Sequence, residues 1–207
     1  MIVKVLSAAL QGVDAFQVDL EVDLAKSGMP AFIMVGLAEG AVRESRERVF
    51  SALKNSGFKL PAARITVNLA PADRKKEGSA YDLPLALGLI AAAGILPASA
   101  AEGFFMAGEL SLAGELKAVP GVLPLAILAE KSGARGLIVP IDNAAEAAVV
   151  SGLTVYGAST LGEAVAVCAG GENAPSPYTP AVEEDAALEF PLDFAEVKGQ
   201  ESAKRAI

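Results

Sequence analysis

The chain has 207 residues, 53% of them apolar, with few aromatics and no Trp. That is enough for one domain with a full core of Ala, Leu and Val, and far too apolar for a disordered chain. A formal net charge of −8 argues against a nucleic-acid glove over the whole surface, and the absence of histidine excludes Ser-His-Asp and Cys-His catalysis and imidazole zinc sites, so no metal site is expected.

The N-terminus, MIVKVLSAALQGVDAF, carries one lysine and no sustained apolar run before Gln11, so it does not read as a signal peptide. From Val13, VDAFQVDLEVDLA alternates: Val13, Ala15, Val18, Leu20, Val22 and Leu24 stand against mostly polar neighbours, with one slip near Phe16. That period is strand chemistry. FIMVG (32–36) reads as a buried strand. In EGAVRESRERVFSALKNSG, Val42, Val49 and Leu53 fall on one helical face, Glu44 and Arg48 stand four apart in the favourable order, and Asn55-Ser56-Gly57 forms a stop. RITVNLAP (64–71) is a strand closed by proline.

LPLALGLIAAAGILPA (83–98) is the most membrane-like run. It is shorter than the roughly 20 residues a span requires and carries Pro84 and Pro97, so a helix buried on all sides is expected, with no membrane partner. FFMAGELSLAG and ELKAV read as short strands around a turn at Gly114. A helix, GVLPLAILAEKSG, a strand, GLIVP, a helix, NAAEAAVVSG, a strand, LTVYG, and a last helix, LGEAVAVCAGG, follow. Cys168 lies in that apolar helix; a lone cysteine forms no internal disulfide, so it reads as a buried structural thiol in a reducing cytoplasm. Alternating strands and helices predict a mixed α/β (α+β) sandwich with helices against a sheet over residues 1–170.

Residues 171–191, with Pro175, Pro177, Pro180 and several acids, read as a linker. In LDFAEVKGQESAKRAI (192–207) a helix begins near Gln200 and stops after about two turns, with Ala203 and Ile207 on its apolar face. The expectation is the front of a longer protein.

Charge is segregated. Residues 43–76 hold nine Lys/Arg and three acids, a net of +6, while the rest of the chain carries −14. A solvated helix face plus loop gives this pattern; so does a patch facing a polyanion. Within it, KKEGSAYDLPLALGL (75–89) admits three readings. Ser79 beside Lys75 and Lys76 could form a Ser-Lys dyad, but the base lysine would have to be desolvated. A phosphate cradle fails, because G-x-x-x-x-G-K-[ST] occurs nowhere in the chain. The third reading is a helix start after a turn at Gly78. Ser79 could cap with Asp82 as its box partner, or Asp82 could itself be the cap, which places Pro84 in the first turn where no N–H is needed. Asp82 is the preferred cap.

Together, VGLAEGAVRESRERVFSALKNSGF, RITVNLAPADRKKEGSAYDLPLALGLIAAAG, GELSLAGELKAVPGVLPLA and GLIVPIDNAAEAAVV resemble the N-terminal domain of the ComM/YifB family, bacterial magnesium-chelatase-like AAA+ proteins. FAEVKGQESAKRAI resembles the opening of that family's ATPase module. The resemblance implies a Lon protease proteolytic-domain-like fold, akin to the second domain of a ribosomal protein. For the whole protein it implies a homo-hexameric DNA helicase that drives branch migration in natural transformation, with ATP and Mg²⁺ bound in the module beyond these residues and no cofactor within them.

Aligned on the resemblance to Lon, the dyad serine falls on Ala80 and, counting on from Gly108-Glu109-Leu110-Ser111-Leu112-Ala113-Gly114, the lysine falls on Leu123. Both are apolar, which implies a domain without proteolytic chemistry. Arg43, Arg46, Arg48, Arg74, Lys75 and Lys76 are the candidate DNA contacts, through phosphate and without sequence specificity. Two other classes stay open: a residual Ser-Lys hydrolase at Ser79, and an assembly domain whose basic patch docks on a neighbouring subunit.

Overall fold

The computed structural model describes residues 2–38, 40–180 and 199–200; the side chains of Ala41 and Arg43 are outside that description. The second half of the expected linker and the expected helix start after 192 lie almost wholly outside it too.

Seven strands form one sheet in the order β3-β4-β2-β1-β5-β8-β9, and β6 and β7 form a separate two-stranded ribbon. The first half of the sheet holds β1 (Ile2–Gln11), β2 (Asp14–Ala25), β3 (Ala31–Val35) and β4 (Arg64–Ala70). β1 pairs antiparallel with β2, and β2 antiparallel with β4. The remaining pairs, β3 with β4 and β1-β5-β8-β9 in series, are parallel. The second half is β5 (Phe104–Met106), β8 (Gly136–Pro140) and β9 (Val155–Ala158), and β6 (Glu109–Leu110) and β7 (Leu116–Lys117) meet around Gly114. The helices are α1 (Gly40–Asn55), α2 (Asp82–Ala92), α3 (Val122–Lys131), α4 (Ile141–Ala147) and α5 (Leu161–Ala169). The α/β sandwich expected from the alternating pattern is the observed architecture.

Two apolar layers flank the sheet. Alternation along β8 divides them: Ile138 joins the layer of α1, α2 and α5, while Leu137 and Val139 join the layer of α3 and α4. All eleven residues of α2 are buried, as expected of a helix apolar all round. On α1, Val42, Val49 and Leu53 face the core. The slip in β2 is a change of face: Ala15 packs in the second layer and Phe16 in the first. Cys168 is buried, and burial pushes its thiol up to about 12.

Three expectations need correction. IVKVLSAALQ, where no element is expected, is a ten-residue strand at the centre of the sheet. FIMVG is an edge strand among the described residues: Phe32 and Met34 pack inward, while Ile33 and Val35 are exposed. A five-residue apolar run cannot distinguish a strand covered on both faces from one covered on a single face. Val13 sits in the β1–β2 turn and is exposed. Residues 171–180 have no helix or strand, but Tyr178 packs in the second layer and its N–H donates to the Val155 carbonyl at 2.7 Å, tying this stretch to β9.

Candidate nucleic-acid interface

The basic loop between β4 and α2 is held from inside by its own lysine. Lys76 is completely buried. Its ammonium donates to the carbonyls of Gly36 at 3.1 Å and Arg74 at 2.7 Å, and to that of Pro71. Its backbone N–H donates to the Leu37 carbonyl. One cation thus ties the loop to the segment that precedes α1. Burial lowers the Lys76 pKa, against a weaker upward pull from Asp73. A phosphate cannot reach this ammonium, so Lys76 leaves the set of candidate contacts.

Arg48 leaves it as well. Its Nε and Nη2 donate to Asp82 Oδ2 at 2.7 Å and Oδ1 at 3.0 Å, a two-pronged clasp from α1 to the start of α2. Asp82 is fully buried and also accepts the Leu110 N–H at 3.2 Å. Burial pushes Asp82 up, and the Arg48 guanidinium and the Leu110 N–H oppose that shift. The same pairing raises Arg48.

This clasp also explains the helix start. Tyr81, not Asp82, holds the N-cap position, no side chain caps the helix, and Asp82 is its first residue. The carboxylate expected to cap is committed to Arg48. The Leu83 N–H is satisfied by the Gly108 carbonyl at 3.0 Å instead. Pro84 still falls in the first turn. Gly78 makes the turn before the helix at φ +82°, where a β-carbon would be strained.

Ser79 donates to the Glu109 carboxylate, not to an amine. Ala80 lines a cavity of about 560 Å³ between this loop, β1 and the start of α3. Leu123 is not in its wall; the adjacent Val122 is, and the Leu123 N–H donates to Glu146 at 2.9 Å. Ala80 and Val122, which share the cavity wall, are both apolar.

Of the expected contacts, Arg74 and Lys75 are exposed and stand together at the cavity mouth. Arg74 lies over the Phe16 ring, 4.7 Å from its centroid. Arg46 is exposed on α1 and is not in the cavity wall; it lies over Phe32 and Phe50 at 5.7 and 5.9 Å and pairs with Glu47 at 3.3 Å. In the sequence Phe16 shows only as a break in alternation. A large aromatic at a change of face was the available signal.

Fold and site define an α/β sandwich domain with an apolar cavity rimmed by cations. Residues 20–143 match the family described as Subunit ChlI of Mg-chelatase. The chain is 45% identical over 207 residues to Competence protein ComM of Haemophilus influenzae, with 98% of this chain and 40% of that protein aligned. It is 42% identical over 199 residues to YifB of Salmonella typhimurium, with 96% and 38% aligned. A shorter likeness, 31% over 107 residues, links 52% of the chain to 18% of Lon protease 2 of Bacillus subtilis. The chain belongs to the Mg-chelatase ChlI family and is a homologue of ComM and YifB. It spans about 40% of the length of those two relatives.

Proposed function

We propose that these residues form the DNA-proximal scaffold domain of a ComM-like, cytoplasmic AAA+ ATPase that works as a homo-hexameric branch-migration helicase. The observation that carries this reading is the exposed Arg74–Lys75 pair on a chain of net charge −8 that is 45% identical to a competence protein. Exposed cations side by side attract a polyanion locally whatever the net charge of the chain, and phosphate contact needs only charge and reach. ATP and Mg²⁺ belong to a further module; the chain carries no phosphate-binding loop, so no hydrolytic step is assigned to its residues. Here the domain guides DNA while the motor moves it.

ATP turnover by the full-length protein, with and without branched and linear DNA, tests the proposal. Turnover should rise with DNA, and Arg74→Glu with Lys75→Glu should weaken DNA affinity and flatten its salt dependence. Turnover indifferent to DNA would remove the helicase reading.

A second reading has its own observation. Asp19, Glu21 and Asp23 alternate along β2 on the sheet face opposite α1 and α2, with Asp19 paired to Lys4, and the exposed Ile33 and Val35 lie on the same face across β4. An acidic face and a basic loop on one chain suit head-to-tail contact between subunits. It predicts a salt-sensitive oligomer without DNA affinity.

A further inference from the structure

The cavity beside the basic loop has two unlike parts. Its inner wall is apolar, with Ala8 from β1 and Val122 and Leu125 from α3, and Phe16 closes one side. Its mouth carries Arg74 and Lys75 against one carboxylate, Glu77. At about 560 Å³ it falls within the size range of small-ligand pockets. The Arg74 guanidinium lies over the Phe16 ring, so a planar cation and an aromatic ring meet where the apolar wall ends.

The matching ligand has a flat apolar body and an anionic group one short link away. A nucleotide unit has that form. A base in a duplex does not offer it, because its faces are stacked and only its edges reach the grooves. A base in a single strand exposes a face that an aromatic ring can take, while the adjoining phosphate meets a cation. We infer that the cavity receives an unpaired base of single-stranded DNA, the base taking the Phe16 face that the Arg74 guanidinium now covers and its phosphate meeting Lys75 and the displaced Arg74. This rests on the DNA-proximal reading above and deepens it: the domain would hold a displaced strand and grip a duplex only through the loop's charge.

The test uses the 207-residue chain, with fluorescence anisotropy of a labelled oligo-dT, a duplex of equal length, and dTMP as competitor. Single strand should bind more tightly than duplex. Phe16→Leu, which keeps an apolar side chain but removes the ring face, should weaken single-strand binding on the order of ten-fold and leave duplex binding unchanged. Ala80→Leu adds aliphatic bulk to the half-buried cavity wall, offers no ring face and should act likewise, so the test does not depend on one variant. Arg74→Gln should weaken both. Circular dichroism confirms folding of each variant. Equal affinity for single strand and duplex, both insensitive to Phe16→Leu and Ala80→Leu, would overturn the pocket and leave the DNA-proximal reading standing. Absence of binding to either DNA would overturn both. Competition by dTMP at the nucleotide concentration of the oligomer would overturn the strand and assign the pocket to a free nucleotide.

Discussion

Arg48 on α1 holds the buried carboxylate of Asp82, 34 residues later, through two hydrogen bonds of 2.7 and 3.0 Å. The pair joins the two helices that cover the first half of the sheet and sets the start of the second. Removing one partner strands the other. Arg48→Ala should cost about 3 kcal/mol, measured as a shift of the urea midpoint at constant slope. The double variant Arg48→Met with Asp82→Leu should cost less than Arg48→Ala alone, because no buried charge remains. A double variant worse than the single would show that the pair contributes net stability beyond mutual neutralisation.

Lys76 should behave as a structural residue. Lys76→Met leaves the carbonyls of Gly36, Pro71 and Arg74 without their donor and should cost about 2–4 kcal/mol. Its lowered pKa has a pH signature. Just below the ordinary lysine value the unfolded chain holds a proton that the folded chain has released, so this group's contribution rises with pH there and is lost as pH falls through the folded pKa. Urea midpoints of the parent and of Lys76→Met across that range should therefore diverge as pH rises. Parallel profiles would mean that Lys76 is solvated.

Gly36 accepts the Lys76 ammonium in a conformation that only glycine tolerates. Its φ is +99°, and a β-carbon would lie 2.2 Å from the Leu69 carbonyl oxygen. Backbone cannot give way as a side-chain tip can, so Gly36→Ala should cost about 3 kcal/mol or more. A thermal midpoint within a degree or two of the parent's would show that the loop relaxes.

Cys168, with its thiol pushed up to about 12, is protonated at neutral pH and out of reach of solvent. Iodoacetamide at pH 8 should leave it unmodified in the folded chain and label it once urea unfolds the protein, read by intact mass. Rapid labelling of the folded chain would place the thiol at the surface.

The sequence by itself determined most of the elements, the buried α2 and the buried thiol, because periodicity and helix stops act over a few residues. Val42, Val49 and Leu53 show their common face without any partner in view. The family too was legible, in motifs that run in order through most of the chain. Tertiary structure alone decided what the charged residues do. Arg48, Arg74, Lys75 and Lys76 are alike in composition, yet one clasps a buried carboxylate, one is sealed under three carbonyls, and two face solvent. Likewise Asp82 reads as a cap until Arg48 claims it, and Phe16 reads as an irregularity until Arg74 lies across it. A charge takes its role from the partners and the water around it, and those are set by contacts between residues far apart in sequence.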